Sequence, residues 1–291
     1  MDVADIRAFT VDVPQAALDD LRDRLARTRW PEKETVDDWD QGVPLAYAQE
    51  LAAYWQDRYD WRAVQARLNS YPNFLATVDG LDIHFLHIRS ANPAARPLVL
   101  THGWPGSVLE FLDVIEPLSA DYHLVIPSLP GYGFSGKPTE AKWSVEHIAA
   151  AWDALMVALG YDRYFAQGGD WGSAVTCAIG GNHANHCAGI HVNMIVGQPD
   201  PATMSDLTDD EKAYLARFGW YRAKDNGYST QQATRPQTVG YALADSPVGQ
   251  MCWIVEKFHG WTDCGHEPGG QSIGGQPEKA LSKDAMLDTV S

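Results

Sequence analysis

The sequence has no apolar run of about eighteen residues or more, so no membrane-spanning helix is expected. Its start, Met1-Asp2-Val3-Ala4-Asp5, lacks the basic and apolar stretches of a signal peptide or anchor. Basic residues are few: 22 Lys and Arg face 38 Asp and Glu, a formal net charge of -16 that opposes binding to nucleic acid or an anionic membrane. The four cysteines, Cys177, Cys187, Cys252 and Cys264, include no C-x-x-C pair, which points to reduced thiols and a cytoplasmic location. Internal repeats are absent. The glycines of Ser128–Gly136 lack the spacing that cradles a phosphate at a helix start, and His183, His186 and Cys187 match no common zinc pattern. Neither a nucleotide cofactor nor a metal is therefore expected.

A serine is also missing where one would be looked for. Gly168-Gly169-Asp170-Trp171-Gly172 has the glycine spacing of a nucleophile elbow, a strand-to-helix turn that holds its central residue in a strained backbone conformation. Tyr164-Phe165-Ala166-Gln167 reads as a short buried strand before it, and Ser173–Ile179 as a helix of small residues after it. The central residue is an aspartate. A serine needs a base before it can attack, whereas a carboxylate is ionised near neutral pH and attacks an sp3 carbon directly to give an ester. The leaving group must then be strained or good, as in an epoxide or a carbon–halogen bond. The plainer alternative is a simple turn in which Asp170 caps the following helix.

A second motif bears on that choice. Pro97-Leu98-Val99-Leu100 reads as a strand, followed by Thr101-His102-Gly103-Trp104-Pro105-Gly106-Ser107 and a helical pattern at Leu109, Leu112, Val114 and Ile115. Where an elbow of this kind works, a loop after the third strand and the residue after the nucleophile each supply an oxyanion-hole N–H, here the amides of Trp104 and Trp171. His102, beside that loop, is expected to hold it by hydrogen bonding rather than act as base. Tyr122–Pro127 reads as a further strand, and Ser144–Leu159, stopped by Gly160, as a long apolar helix. Strand and helix thus alternate, implying a mainly parallel sheet with helices on both faces. Leu75–Phe85 reads as an antiparallel hairpin around Asp79-Gly80.

With these residues in view, the chain resembles an epoxide hydrolase of the α/β-hydrolase superfamily, in the microsomal-type branch. The resemblance rests on four motifs: His102–Ser107, Pro127–Ser135, Gly168–Gly172, and a lid segment from Gly227-Tyr228 through Thr234–Thr238 to Asp245–Gly249. The start also resembles that branch's extension, with Val13-Pro14, Leu18, Leu21, Leu25 and Arg29-Trp30-Pro31. It implies an α/β-hydrolase fold divided into an extension (1–75), a core (76–197) and a helical lid (198–291). It further implies Asp170 as the nucleophile, Tyr228 as one of two lid tyrosines that donate to the epoxide oxygen, and a small hydrophobic epoxide and water as the reactants. Homodimer formation is left open.

The resemblance also implies elements that this sequence does not match: the last core strands, a second lid tyrosine, and the acid and histidine that activate water for ester hydrolysis. The expectation is therefore a chain truncated within the lid that does not turn over alone. The late histidines, His183, His186, His191, His259 and His266, are not expected to replace the missing base. A haloalkane dehalogenase, with the Trp171 indole holding halide, and a non-catalytic binding protein stand as alternatives. Tyr47, Tyr54, Trp55, Tyr59 and Trp61, at helical spacing, are expected to pack rather than bind a ligand. Gly265–Gly275 reads as a flexible excursion of the lid.

Overall fold

The computed structural model describes residues 1–195, 197, 199–264 and 275–291. The elements run β1 (Val3–Phe9), α1 (Gln15–Ala26), α2 (Leu45–Asp57), α3 (Trp61–Asn69), β2 (Asn73–Val78), β3 (Leu81–Ile88), β4 (Arg96–Thr101), α4 (Leu112–Leu118) and β5 (Tyr122–Pro127). They continue through α5 (Val145–Ala158), β6 (Tyr164–Gly168), α6 (Trp171–Asn182), β7 (Cys187–Val192), α7 (Asp209–Lys224), α8 (Gly227–Thr234), α9 (Pro236–Asp245), α10 (Pro247–Trp261) and α11 (Lys283–Val290). Two compact units result: residues 1–12 with 62–197, and residues 13–61 with 198–291. The first twelve residues therefore cluster with the sheet, while α1 and α2 cluster with the C-terminal helices. The glycine-rich excursion over 265–274, with His266, lies outside the described residues.

The first unit is built on a seven-stranded sheet in the order β1-β2-β3-β5-β4-β6-β7. Three of its six pairings are antiparallel, β1 with β2, β2 with β3 and β3 with β5, so the sheet is mixed rather than mainly parallel. The reason is local. Asp79 (φ 47°) and Gly80 (φ 80°) both take positive φ, which makes a two-residue turn and pairs Val78 directly with Leu81. The turn forces β2 and β3 to run antiparallel, and β1 adds to their outer edge. Beyond them β5, β4, β6 and β7 are parallel, and β4 and β5 each bury four consecutive residues, as expected of strands covered on both faces.

The core joins the inner side chains of this sheet to α5 and α6: Val99, Val125, Ala166, Trp152, Leu155, Val175 and Ile179 are all buried. Burying a large apolar side chain of this kind stabilises the fold by roughly 1.5–3 kcal/mol. The Trp152 indole donates to Thr101 Oγ1 at 3.2 Å, so the largest core side chain leaves no polar atom stranded at the end of β4. At the far end of α6, the Asp153 carboxylate accepts from Tyr164 Oη (2.8 Å) and pairs with His186 Nδ1 (2.9 Å) and His183 Nδ1 (3.3 Å). These two histidines serve a buried carboxylate, and among the described residues no group of side chains suits a metal ion.

The second unit is helical. Thr208 and Glu211 form a capping box at the start of α7, and Ser246 and Ser282 cap α10 and α11 through the amides of Gly249 and Ala285. Tyr47, Tyr54 and Trp55 pack from α2 as expected, but Tyr59 and Trp61 lie beyond its end at Asp57, so the five aromatics do not form one helical stripe. Tyr47, Tyr54 and Tyr59 reach Glu278 (3.2 Å), Asp284 (2.9 Å) and Asp288 (2.9 Å), tying the N-terminal segment to the turn before α11 and to α11 itself. Desolvation drives the Tyr47 and Tyr59 phenols far above their ordinary range, with the acceptor carboxylates adding to it, so they stay donors.

Candidate active site

Asp170 links β6 to α6 with φ 52° and ψ -126°, a conformation costly for a residue with a Cβ and found where surrounding packing imposes it. The packing is visible in the glycines. A Cβ on Gly168 would overlap the Gly172 carbonyl, and one on Gly172 would overlap the backbone of Thr101, so strand, turn and helix approach more closely than any side chain allows. The Asp170 side chain makes no capping bond to α6, which removes the simple helix-cap alternative.

The carboxylate meets the second motif instead. Trp104 N–H donates to Asp170 Oδ1 at 2.7 Å, and Gly103 must lack a side chain because its Cβ would lie 2.7 Å from Asp170 Cγ and closer still to Oδ1. Trp171 is the first residue of α6, where backbone N–H groups have no helical acceptor and the helix dipole favours negative charge; the residue is 54% exposed. Asp170, Trp104 and Trp171 are thus brought together within the first unit. Ser173 Oγ donates to the Met194 carbonyl, anchoring the elbow helix to the chain that leaves β7.

His102 is buried, and both ring nitrogens serve the backbone: Nδ1 lies 3.0 Å from the Gly103 carbonyl, and Nε2 accepts from Leu129 N–H at 3.0 Å. Burial lowers it to about 4, so the ring stays neutral and ties the Trp104 loop to the Ser128–Gly136 loop. The second loop is fixed in turn by the buried His84, whose ring lies 2.9 Å from both Ser128 Oγ and Asn73 Oδ1. Tyr132 on this loop stands edge-on to His102, and desolvation with the Asp170 charge pushes its phenol up to about 12.

Sequence reasoning did not single out Glu110. It follows the second motif in a short 3-10 turn, and its carboxyl folds back beneath that motif: a Cβ on Gly106 would lie 2.6 Å from Oε1. Although the residue keeps an exposed surface, desolvation pushes its carboxyl up to about 7, against the Gly103 N–H and with the Asp170 charge. An acid three residues after Ser107, among the apolar Val108, Leu109 and Phe111, was the available signal. The group is neutral below pH 7 and anionic above it. If Asp170 is the nucleophile that the resemblance implies, forming an ester would discharge it and relieve repulsion from an ionised Glu110, so its attack should quicken as pH rises through about 7. Single-turnover rates between pH 5.5 and 8.5 should show that inflection, and Glu110→Gln should flatten it.

Tyr228 lies in the second unit, in the first turn of α8. Its hydroxyl is 3.2 Å from that of Tyr221 on α7, and its ring stands edge-on to Trp261 with centroids 5.3 Å apart. Of the late histidines, His183 and His186 are held by Asp153, His191 is exposed on β7, and His259 is buried in a stack on Trp39 at 4.0 Å. His266 is outside the described residues.

Comparison with known proteins bears directly on this constellation. A family model described as the epoxide hydrolase N terminus matches residues 6–111, and one for the alpha/beta hydrolase fold matches residues 96–237. The chain is 31% identical to epoxide hydrolase 1 of Sus scrofa, over 98% of its own length and 68% of the relative's. The chain belongs to the epoxide hydrolase family. Among solved structures, Aspergillus niger epoxide hydrolase superposes with a TM-score of 0.87 at 31% identity, covering 99% of this chain and 74% of that one. Juvenile hormone epoxide hydrolase from Bombyx mori does so at 0.85 and 29% identity, covering 98% and 72%. The fold is therefore that of an α/β-hydrolase, with helices on both faces of the mixed sheet. A relative in Stigmatella aurantiaca is 51% identical over 98% of the chain, and the chain spans 65% of that relative's length.

Proposed function

We propose that this chain carries the epoxide-opening step of an epoxide hydrolase: attack by Asp170 on an epoxide carbon gives an alkyl-enzyme ester, which water then converts to a vicinal diol. The observation that carries this reading is the hydrogen bond from Trp104 N–H to Asp170 Oδ1. With Oδ1 occupied, Oδ2 is the oxygen left to attack. The bond from Oδ2 to the epoxide carbon forms as the ring C–O bond breaks and its electron pair goes to the ring oxygen. In the second step water adds at Cγ, Oδ1 takes up the negative charge, and the Trp104 N–H already aimed at it stabilises that charge, with the Trp171 amide as second donor. Such donors act with little reorganisation because they are placed before the reaction begins.

The developing alkoxide needs a proton donor, and Tyr228 is assigned that role. A phenol held by Tyr221 and Trp261 has a fixed direction, which favours donation to one position of the substrate. Tyr228→Phe should slow formation of the ester by about one to two orders of magnitude, the cost of one hydrogen bond to developing charge. Rapid quenching with labelled styrene oxide in a single turnover measures this, and circular dichroism checks that the fold is kept. An unaltered rate rejects the role.

The substrate in this reading is a small hydrophobic epoxide, and detoxification of such compounds is the proposed setting. A cytoplasmic location is proposed with it, supported by four free cysteines; no helix among the described residues is long and apolar enough to cross a membrane. The sequence division into extension, core and lid at residues 75 and 197 is carried forward as part of the proposal. A haloalkane dehalogenase gains no support from the relatives described above.

A further inference from the structure

Beneath Tyr228 lies a charge cluster that the reaction as described does not use. Lys257 on α10 is 2% exposed, one of the largest fully buried side chains among the described residues. Its ammonium meets Asp225 Oδ1 at 2.5 Å and Glu256 Oε1 at 2.9 Å. It also stands 4.8 Å from the centroid of the Tyr228 ring and 6.0 Å from that of Trp261. Asp225, at the end of α7, gives its other oxygen to the Trp261 indole N–H at 3.1 Å. A lysine is seldom buried so fully, because an ion taken out of water is unfavourable unless it is well paired. For packing alone, a methionine would fill the same space without that cost.

We propose that Lys257 is a positioning residue for Tyr228: Asp225 holds its ammonium against the ring face, where it stabilises the negative charge that the phenol acquires on giving its proton to an opening epoxide oxygen. This deepens the proposed function and rests on it. Among the described residues, the polar and charged groups around the ring are Tyr221 on α7, Asp225 at the α7–α8 junction, and Glu256 and Lys257 on α10. Of the charged ones, Lys257 is in direct contact with the ring. Asp225 spends its two oxygens on Lys257 and Trp261, and the 36% exposed Glu256 side chain is screened by solvent. Among the described residues the charge closest to the ring face is therefore the cation, which an aromatic face attracts and a phenolate attracts more strongly.

The proton path balances on groups present. The epoxide oxygen receives the electron pair of its broken C–O bond and takes the Tyr228 proton. The resulting phenolate is neutralised from the Tyr221 hydroxyl 3.2 Å away, which regains its proton from water; the hydroxide released to solvent carries away the negative charge that Asp170 loses in the ester. Lys257 transfers nothing and acts only through its charge.

The test reads the phenol itself. With 3-fluorotyrosine at position 228, fluorine NMR follows its ionisation in the full chain without substrate. In the doubly neutral variant Lys257→Met with Asp225→Asn, the titration should move up by about one pH unit, and Lys257→Arg should restore most of the shift. Single-turnover ester formation with labelled styrene oxide should fall roughly tenfold in the neutral variant, with epoxide binding unchanged, and recover with arginine. If that variant does not fold, Lys257→Gln, which keeps a donor for Asp225, carries the same comparison. A folded variant whose phenol titrates as in the parent overturns the proposal. A shifted titration beside an unslowed Tyr228→Phe chain would instead leave Lys257 tuning the phenol and overturn the role of Tyr228 in the reaction, so the two failures read differently.

Discussion

Asp170→Asn should abolish incorporation of a labelled epoxide into the protein, lowering the rate of ester formation by at least about 10³-fold. The substitution is close to isosteric, so it tests chemistry rather than folding. The amide oxygen can still accept the Trp104 N–H, and the tight approach of Gly103 to Cγ and Oδ1 is unchanged in shape. What is lost is the anionic Oδ2. An amide nitrogen there carries no charge and cannot form the ester, while the strained backbone at the elbow is kept by Gly168 and Gly172. Incubation with excess labelled styrene oxide, acid quench and peptide mapping by mass spectrometry reads the site of attachment. In the parent chain the label should sit on the peptide containing Asp170, and in the variant it should be absent. A label that maps reproducibly to another carboxylate, with Asp170 unmodified, would overturn the assignment of the nucleophile.

The parts of the site that the sequence made legible are those enforced by sterics. Gly103, Gly168 and Gly172 are glycines because backbone or the Asp170 side chain occupies the space a Cβ needs, and such constraints leave a fixed spacing in the chain. His102 was also legible, since a histidine next to a loop glycine has backbone groups within reach of both nitrogens. Glu110 was not. Its environment depends on a carboxyl folding back under residues four to seven positions earlier, which no periodicity announces. The antiparallel hairpin at Asp79-Gly80 was legible too, but the strand added at its edge was not: β1 pairs with β2 across more than sixty residues of intervening helix and loop. That contact is decided by tertiary packing. The grouping of α1 and α2 with the C-terminal helices escaped notice for the same reason, because Tyr47 and Tyr54 on α2 and Tyr59 just after it find their carboxylates about 230 residues away.

A polypeptide of these 291 residues should accumulate the alkyl-enzyme ester rather than release diol repeatedly. Ester formation needs the carboxylate of Asp170 and a donor for the epoxide oxygen, whereas ester hydrolysis also needs a base to activate water, a contribution of roughly 10²- to 10⁴-fold. The chain has ten histidines, and the structure accounts for nine. His84, His87 and His123 are engaged by Asn73 and Ser128, by Tyr161, and by Ser90; His102 by backbone; His147 by Asp79. His183 and His186 are committed to Asp153, His259 is stacked on Trp39, and His191 lies exposed on β7. Among the described residues, no hydrogen bond or ion pair to Asp170 from a histidine is found. The Trp104 N–H would still polarise the ester at Oδ1, so the intermediate should decay slowly rather than persist indefinitely. Mixing excess styrene oxide with the purified chain should give a burst approaching one label per chain, followed by diol release at least about a hundredfold slower. Hydroxylamine should discharge the label. Steady diol formation as fast as the burst, lost in Asp170→Asn, would overturn this expectation and show that one of these histidines serves as the base, with His191 the first to be replaced in the search for it.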